Sequence, residues 1–426
     1  MLLTLLFVMV FGLLILGVPV AIALGLSSLV FILLAGQVPD LVVIHRMVNG
    51  VDSFPLLAVP FFILAGNLMN TAGITNRIFD FAKACVGWMR GGLGHVNIGA
   101  SVVFAGMSGA AVADAGGLGT IEIKAMRDAG YDADFSVGVT AASSTIGPII
   151  PPSLPMVIYG VVASSSIGQL FAAGFIPGLM MAAALMIMVA WYARTRNYPR
   201  DARFALSILL SSFQRAFLSL LTPIIIVGGI LGGIFTPTEA AIAASAYALF
   251  LGVAVYRTLT VRRLLRVSFD TIETTAVVMF IVAAASIFAW ILTSNRVTEH
   301  FAALILTITE NPILILLMIN VILLIVGCFM ETIAAITILV PVLLPIVVKL
   351  GIDPVHFGVI MVLNLMIGLL TPPVGMVIYV LSRVSGVPFE RCVAATMPFL
   401  IPLIIVLLLV TFVPQLSMFL PTLIYR

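Results

Sequence analysis

Two stretches carry residues whose types and spacing could hold a ligand. One reads Ser143-Ser144-Thr145-Ile146-Gly147-Pro148-Ile149-Ile150-Pro151-Pro152-Ser153, then Met156-Val157-Ile158-Tyr159. The other reads Ile367-Gly368-Leu369-Leu370-Thr371-Pro372-Pro373, then Met376-Val377-Ile378-Tyr379. Each is an apolar, helix-like run interrupted by a Pro-Pro pair beside Gly, Ser or Thr. Proline removes a backbone donor and clashes with the preceding turn, so the helix must open there. Unwound carbonyls together with Ser or Thr hydroxyls suit a hard cation such as Na+. The restart of a helix presents free N–H groups and a partial positive charge, which suits a carboxylate. Ser144, Gly147, Gly327 and Thr371 are therefore cation candidates, and Ser108 and Ser153 anion candidates.

Ser108 and Gly327 come from two further runs, Gly106-Met107-Ser108-Gly109-Ala110-Ala111 and Gly327-Cys328-Phe329-Met330-Glu331-Thr332. The apolar arms beside the first run hold about 14 residues each, or about 21 Å at helical rise, short of a roughly 30 Å hydrocarbon core. Re-entrant hairpins at about 92–130 and 312–349 fit better than pairs of full spans, with the small-residue runs as tips. Gly106 and Gly109 would let main-chain donors approach a ligand. Asp114 and Glu331 lie close to the tips in apolar surroundings, where an acid is a functional candidate by default. The competing readings are structural: a single Ser or Gly can serve close helix packing, and either acid can cap a half-helix. Asp128, Asp132 and Asp134 read as solvated loop residues, and His45, His95, His300 and His356 as interfacial or packing residues.

The elements that must position these groups are membrane spans. The chain has 426 residues, 62% hydrophobic and 9% charged, with a mean hydropathy of +1.28; soluble domains carry roughly 25% charge. The fold class is an all-α polytopic membrane protein. A net charge of +3 gives no reason to expect nucleic acid. Cys85, Cys328 and Cys392 have no metal or disulfide spacing, so no transition-metal site is indicated. No GxxxxGK[ST] motif occurs, so energy must come from a gradient or another subunit.

In order, the sequence predicts an apolar run at 3–35 (one helix or two), a polar connector with Asp40 and Asp52, a span at 55–71 and an amphipathic interfacial arm at 74–90. The first hairpin, a broken helix at 135–163 and a span at 174–193 ending in Arg194, Arg196, Arg200 and Arg203 follow. The second half predicts spans at 217–234, 237–256 and 273–292, an arm at 295–310, the second hairpin, a broken helix at 356–381 and a last span at 395–420. Gly106 and Gly130 recur as Gly327 and Gly351, 221 positions on, and Asn76-Arg77 as Asn295-Arg296, 219 on. The chain thus divides into two homologous halves, 1–216 and 217–426.

The Arg clusters at 194–203 and 257–266 bracket two spans and share one side, which the positive-inside rule makes cytoplasmic. Counting spans from there puts Arg77, Lys83 and Arg90 on the same side and Lys349 on the other, so the first hairpin enters from the cytoplasm and the second from outside. Two inverted repeats, each with a hairpin and a broken helix, are the signature of many secondary transporters.

Two other classes compete. Re-entrant loops also build ion or solute channels, but channel hairpins surround one axis, whereas here each hairpin pairs with its own broken helix. Gly106-Met107-Ser108-Gly109 fits the GxSG motif of intramembrane serine proteases. That chemistry needs a His within hydrogen-bond reach, and His95 is 13 residues away on the same arm, roughly 20 Å.

Several stretches together resemble a known family: Asp52-Ser53-Phe54 with Ala58-Val59-Pro60-Phe61-Phe62, Gly106-Met107-Ser108-Gly109 with Ala113-Asp114, Ile150-Pro151-Pro152-Ser153, Phe235-Thr236-Pro237-Thr238-Glu239-Ala240-Ala241, and Gly368-Leu369-Leu370-Thr371-Pro372-Pro373-Val374-Gly375. They are similar to the large membrane subunit (M subunit) of tripartite ATP-independent periplasmic (TRAP) transporters, over essentially the full chain. The resemblance implies an elevator-type, Na+-coupled importer of an organic acid in the bacterial inner membrane. It implies no cofactor beyond Na+ as coupling ion. It implies as partners a small four-helix membrane subunit (Q subunit), a periplasmic substrate-binding protein (P subunit), membrane lipid and the organic acid, of C4-dicarboxylate or sialic-acid type. The run Asp114-Ala115-Gly116-Gly117-Leu118-Gly119 through Tyr131 looks closest to the sialic-acid members. A first Na+ site would use Ala105, Ser108, Ser144 and Gly147, and a second Gly327, Phe329, Thr371 and Val374. Relatives often have Ser in place of Ala105 and Asp in place of Glu331; if that Ser hydroxyl ligates, one ligand here must come from a carbonyl.

Overall fold

The structure is a computed structural model that describes residues 2–36, 38–39, 41–196, 198, 205–297, 299, 309 and 311–425, without the side chains of 106–108. Asp40, Arg200, Arg203, His300, most of the arm expected at 295–310, and the side chain of Ser108 lie outside the described residues. All regular structure among the described residues is helical.

The N-terminal apolar run is two helices, α1 (Leu2–Ile15) and α2 (Val20–Ala35), packed on each other. Next come α3 (Leu41–Val51), a 3-10 turn at Phe54–Leu57, α4 (Ala58–Thr71) and the amphipathic α5 (Ile74–Val86). Hairpin 1 is α6 (Gly92–Ser108), then α7 (Ala111–Gly116) and α8 (Leu118–Asp128). Broken helix 1 is α9 (Ala133–Ser144) and α10 (Leu154–Val162), followed by α11 (Ile167–Thr195). The second half begins with α12 (Leu206–Pro223), which runs on through a π turn to Leu231, α13 (Pro237–Phe250) and α14 (Val261–Ser294). Hairpin 2 is α15 (Pro312–Phe329) and α16 (Thr332–Lys349), and broken helix 2 is α17 (Pro354–Gly368) and α18 (Met376–Ser385). The chain closes with α19 (Phe389–Phe412) and α20 (Gln415–Ile424).

Three expectations change. The last span stops at Phe412, because Pro414 cannot continue it and α20 starts anew. The hairpin arms are longer than expected: α6 has 17 residues, and α15 and α16 have 18 each. Eight helices among the described residues are long and apolar enough to cross a membrane, and both arms of hairpin 2 are among them. Length therefore does not mark them as re-entrant; the tip contacts described below do. The span expected at 273–292 is the far part of α14, whose 34 residues reach about 51 Å and carry Arg262, Arg263 and Arg266 in the first turns.

The Phe235-Thr236-Pro237-Thr238-Glu239 run sets the start of α13. Thr236 and Glu239 form a reciprocal capping box, with the Thr236 N–H donating to Glu239 Oε2 at 2.8 Å, and Pro237 occupies the first turn, where its missing N–H is harmless. Thr238 Oγ1 donates to the Phe54 carbonyl at 3.3 Å, fixing α13 to α4, its closest companion.

Basic junctions gather at one end of the bundle. The Arg77 guanidinium lies 4.0 Å over the Tyr256 ring and donates to the Arg215 carbonyl. Arg196 pairs with Asp132 at 3.0 Å, Arg391 with Asp134 at 2.7 Å, and Arg127 donates to the Ser385 carbonyl at 2.9 Å. Tyr198 donates to Asp132 at 2.6 Å; burial and that carboxylate push its phenol up to about 12, so it stays a donor at neutral pH. The opposite end is marked by Tyr159 donating to the Pro354 carbonyl and by His356 against Ser417, both at 2.6 Å. The mouth of hairpin 1 thus lies at the basic end, cytoplasmic by the positive-inside rule, and the mouth of hairpin 2 at the other. This is the inverted arrangement.

The halves also exchange parts. α10 packs on α16 of hairpin 2, and α18 packs on α7 and α8 of hairpin 1. Likewise α19 packs on α9, and α11 on α17. Each broken helix is therefore enclosed by its own hairpin on one side and by the other half on the other. A second layer, α2, α3, α4, α13 and α14, is held together mainly by its own contacts.

Candidate functional site

Both tips meet their breaks. In the first half, Gly109 turns the chain with φ +60°, and a Cβ there would lie 2.7 Å from the Pro152 carbonyl oxygen. The Leu154 N–H points back at the Gly109 carbonyl at 3.4 Å. Asp114, fully buried on α7, reaches break 1: its Oδ2 is 2.8 Å from where a Cβ on Gly147 would stand. In the second half, the Val374 N–H donates to the Cys328 carbonyl at 3.3 Å. The Gly327 and Gly368 backbones touch, so a Cβ on Gly368 would come within 2.6 Å of the Gly327 Cα and carbonyl carbon. Gly109, Asp114, Gly147 and Ser153 are thus one cluster, and Gly327, Cys328, Thr371 and Val374 another. Ala105 is buried near the end of α6, while Phe329 is exposed beside the second tip.

The hydroxyls differ in what they can still offer. Ser144 Oγ donates to the Ala141 carbonyl at 2.8 Å, and Thr371 Oγ1 to the Ile367 carbonyl at 2.9 Å. With its proton directed back into its own helix, each presents lone pairs to the break, which suits a cation and not an anion. Ser153 is also committed. Its hydroxyl donates to the Pro148 carbonyl and accepts the Met156 N–H at 3.2 Å, so it is the N-cap of α10. The donor expected there for a substrate carboxylate is engaged in closing the break. Glu331 likewise caps α16, accepting from the Ile333 and Ala334 N–H groups at 2.9 and 3.2 Å, which realises its structural reading. Asp114 faces break 1.

The two breaks also differ in exposure. Every residue from 136 to 160 is buried, whereas Val374 is 44% exposed and Pro373 is exposed too. Ser153→Ala removes the cap of the buried break, at a cost of about 1 kcal/mol. The expected outcome is a thermal midpoint lowered by a few degrees with Na+ dependence retained, read by unfolding of the purified protein.

Sequence reasoning missed a set of buried amides. Asn97 on α6 donates to Thr140 Oγ1 at 2.7 Å and accepts from Ser143 Oγ at 2.5 Å. In the second half Asn364 on α17 donates to Asn320 on α15, which donates to Thr411 on α19 at 3.3 Å. Each ties the first arm of a hairpin to its broken helix. The signal available was an amide inside an otherwise apolar run, which must find a partner there.

The comparisons with known proteins agree with this architecture. The family description "Tripartite ATP-independent periplasmic transporter, DctM component" matches residues 7–416. The chain belongs to the DctM family of TRAP transporters. It is 52% identical over 412 residues to the sialic acid TRAP transporter large permease protein SiaM of Vibrio cholerae, covering 97% of this chain and 96% of that one. It is 40% identical over 401 residues to the C4-dicarboxylate TRAP transporter large permease protein DctM of Pseudomonas aeruginosa, covering 94% and 93%. In fold it is similar to the YdaH transporter of Alcanivorax borkumensis, with a TM-score of 0.65 at 13% identity, covering 87% of this chain and 86% of that chain. As a TRAP permease the chain is a multi-pass inner-membrane transporter component and not an enzyme. The GxSG run is a hairpin tip: Ser108 ends the helix whose first turns hold the buried His95.

Proposed function

We propose that this TRAP permease imports an organic acid, of the sialic-acid type, by Na+ coupling. It receives the acid from a periplasmic binding protein and works with a small four-helix membrane subunit. The observation that carries the cation part is the pair of break hydroxyls, Ser144 and Thr371, each with its proton turned away from the break. One Na+ site is assigned to Ala105, Ser108, Ser144 and Gly147, with Asp114 supplying negative charge alongside, and another to Gly327, Phe329, Thr371 and Val374. Identity to the sialic-acid permease of Vibrio cholerae exceeds that to the C4-dicarboxylate permease, which supports the substrate class.

The substrate carboxylate is assigned to the first tip, at Gly106, Ser108 and Gly109, with Ser153 shaping the adjoining helix start. The hairpins, broken helices, α11 and α19 would move as one body against the layer of α2, α3, α4, α13 and α14, an elevator motion. The test is uptake into vesicles. With the Q subunit, a loaded binding protein and an inward Na+ gradient, uptake of sialic acid is expected; removing any one of the three stops it. Robust uptake by the lone chain would overturn the partner requirement, and uptake that ignores Na+ would overturn the coupling.

A further inference from the structure

At the basic end, α5 and α12 enclose a pocket of about 300 Å³ lined by Gly73, Asn76, Arg77, Asp80, Ser212 and Arg215. Two guanidinium groups are brought to one pocket and held in place. Arg77 is stacked 4.0 Å over Tyr256 and donates to the Arg215 carbonyl at 3.5 Å. Arg215 is tethered by Nε to the Ser211 carbonyl at 3.4 Å and by Nη2 to Ser212 Oγ at 3.5 Å. Among the described residues no carboxylate lies within 4.0 Å of either cation; the two ion pairs found there are Arg196–Asp132 and Arg391–Asp134. Two guanidinium groups share the pocket with the single carboxylate of Asp80, which pairs with neither, so a net positive charge remains for an anion, and fixed guanidinium forks match phosphate oxygens.

The surroundings select the anion. α5 is amphipathic and has Lys83 in its last turn, as expected of a helix lying at the membrane surface. α12 exposes Leu206, Leu210, Phe213 and Phe217 on one side and Ile208 on the side that bears Arg215, apolar surface that acyl chains can cover. The pocket lies at the basic end beside the amphipathic α5, the level at which a lipid headgroup would sit. We propose that it binds the phosphate of an anionic phospholipid, with the Asn76 amide and Ser212 hydroxyl as further polar contacts and the Asp80 carboxylate accepting from a headgroup hydroxyl. A phosphatidylglycerol headgroup has this chemistry. The lipid would clamp α5, which packs on hairpin 1, to α12.

The test measures retention of phosphatidylglycerol by the purified full chain, by native mass spectrometry, beside phosphatidylcholine and inorganic phosphate as probes. Preferential retention of phosphatidylglycerol is expected, weakened roughly fivefold in Arg215→Gln, whose backbone carbonyl still anchors Arg77, and further in Arg77→Gln with Arg215→Gln. Asp80→Asn is expected to narrow the preference for the hydroxyl-bearing headgroup. Retention equal for both lipids, or unchanged in the double variant, would overturn the proposal. Inorganic phosphate displacing the lipid at equal affinity would overturn the lipid source and leave a free-phosphate site. Folding of the variants is read separately from their thermal midpoints.

Discussion

Gly368→Ala lowers Na+-driven uptake by about 5- to 150-fold. The new Cβ would stand 2.6 Å from the Gly327 Cα and carbonyl carbon and 3.0 Å from its oxygen, so backbone meets it and no side-chain rotation relieves the clash. Hairpin 2 must retreat from broken helix 2. That separates Gly327 from Thr371 and strains the short bond between Asn364 and Asn320 one turn away. Overpacking of this kind costs typically 1–3 kcal/mol, about 5- to 150-fold in the population of the closed site. The layer of α2, α3, α4, α13 and α14 makes no use of this contact, so the protein should still purify as a folded species. Uptake and Na+-induced thermal stabilisation are the readouts. Unchanged values in both would show that the tip and break need not touch.

Thr371→Val raises the Na+ concentration needed for half-maximal uptake. The shape is kept, and the hydroxyl proton is already bonded to the Ile367 carbonyl, so what is lost to the break is an oxygen lone pair. A contact to a charged group is worth about 1.5–3 kcal/mol, which predicts a roughly 10- to 150-fold shift at saturating substrate. Thr371→Ser, which keeps the oxygen, should restore most of it. An unmoved Na+ dependence in Thr371→Val would remove Thr371 from the cation site.

Much of the site was legible because proline and glycine act locally. Pro151-Pro152 and Pro372-Pro373 declare where a helix must open, and Gly109 and Gly327 declare where backbones meet, whatever surrounds them. The inverted repeat followed from recurring motifs, charge placement and the count of spans between them. What stayed hidden depends on direction and partner. Ser153 was read as an anion donor, yet its hydroxyl proton goes to the Pro148 carbonyl while its oxygen accepts the Met156 N–H and caps the α10 start. Glu331 was open to two readings, functional acid or cap, and it caps α16. The Asn97–Ser143 and Asn320–Asn364 bonds join residues 46 and 44 positions apart, a distance at which no local pattern speaks. α14 was read too short because Arg262, Arg263 and Arg266 read as a charged cluster between spans, and the helix carries those charges in its first turns.

The exchange of parts between the halves bears on the order in which the chain leaves the ribosome. α10 ends at Val162, and its companion α16 starts at Thr332, 170 residues later. At roughly 5–20 residues per second, about 10–35 s pass before α10 can be covered. During that interval break 1, buried on every side in the finished protein, is inserted with open backbone groups and a half-built enclosure. The first half therefore cannot mature as a unit, however complete its own set of helices. A gene cut in the connector between α11, which ends at Thr195, and α12, which starts at Leu206, should yield a stable protein only when both pieces are translated together.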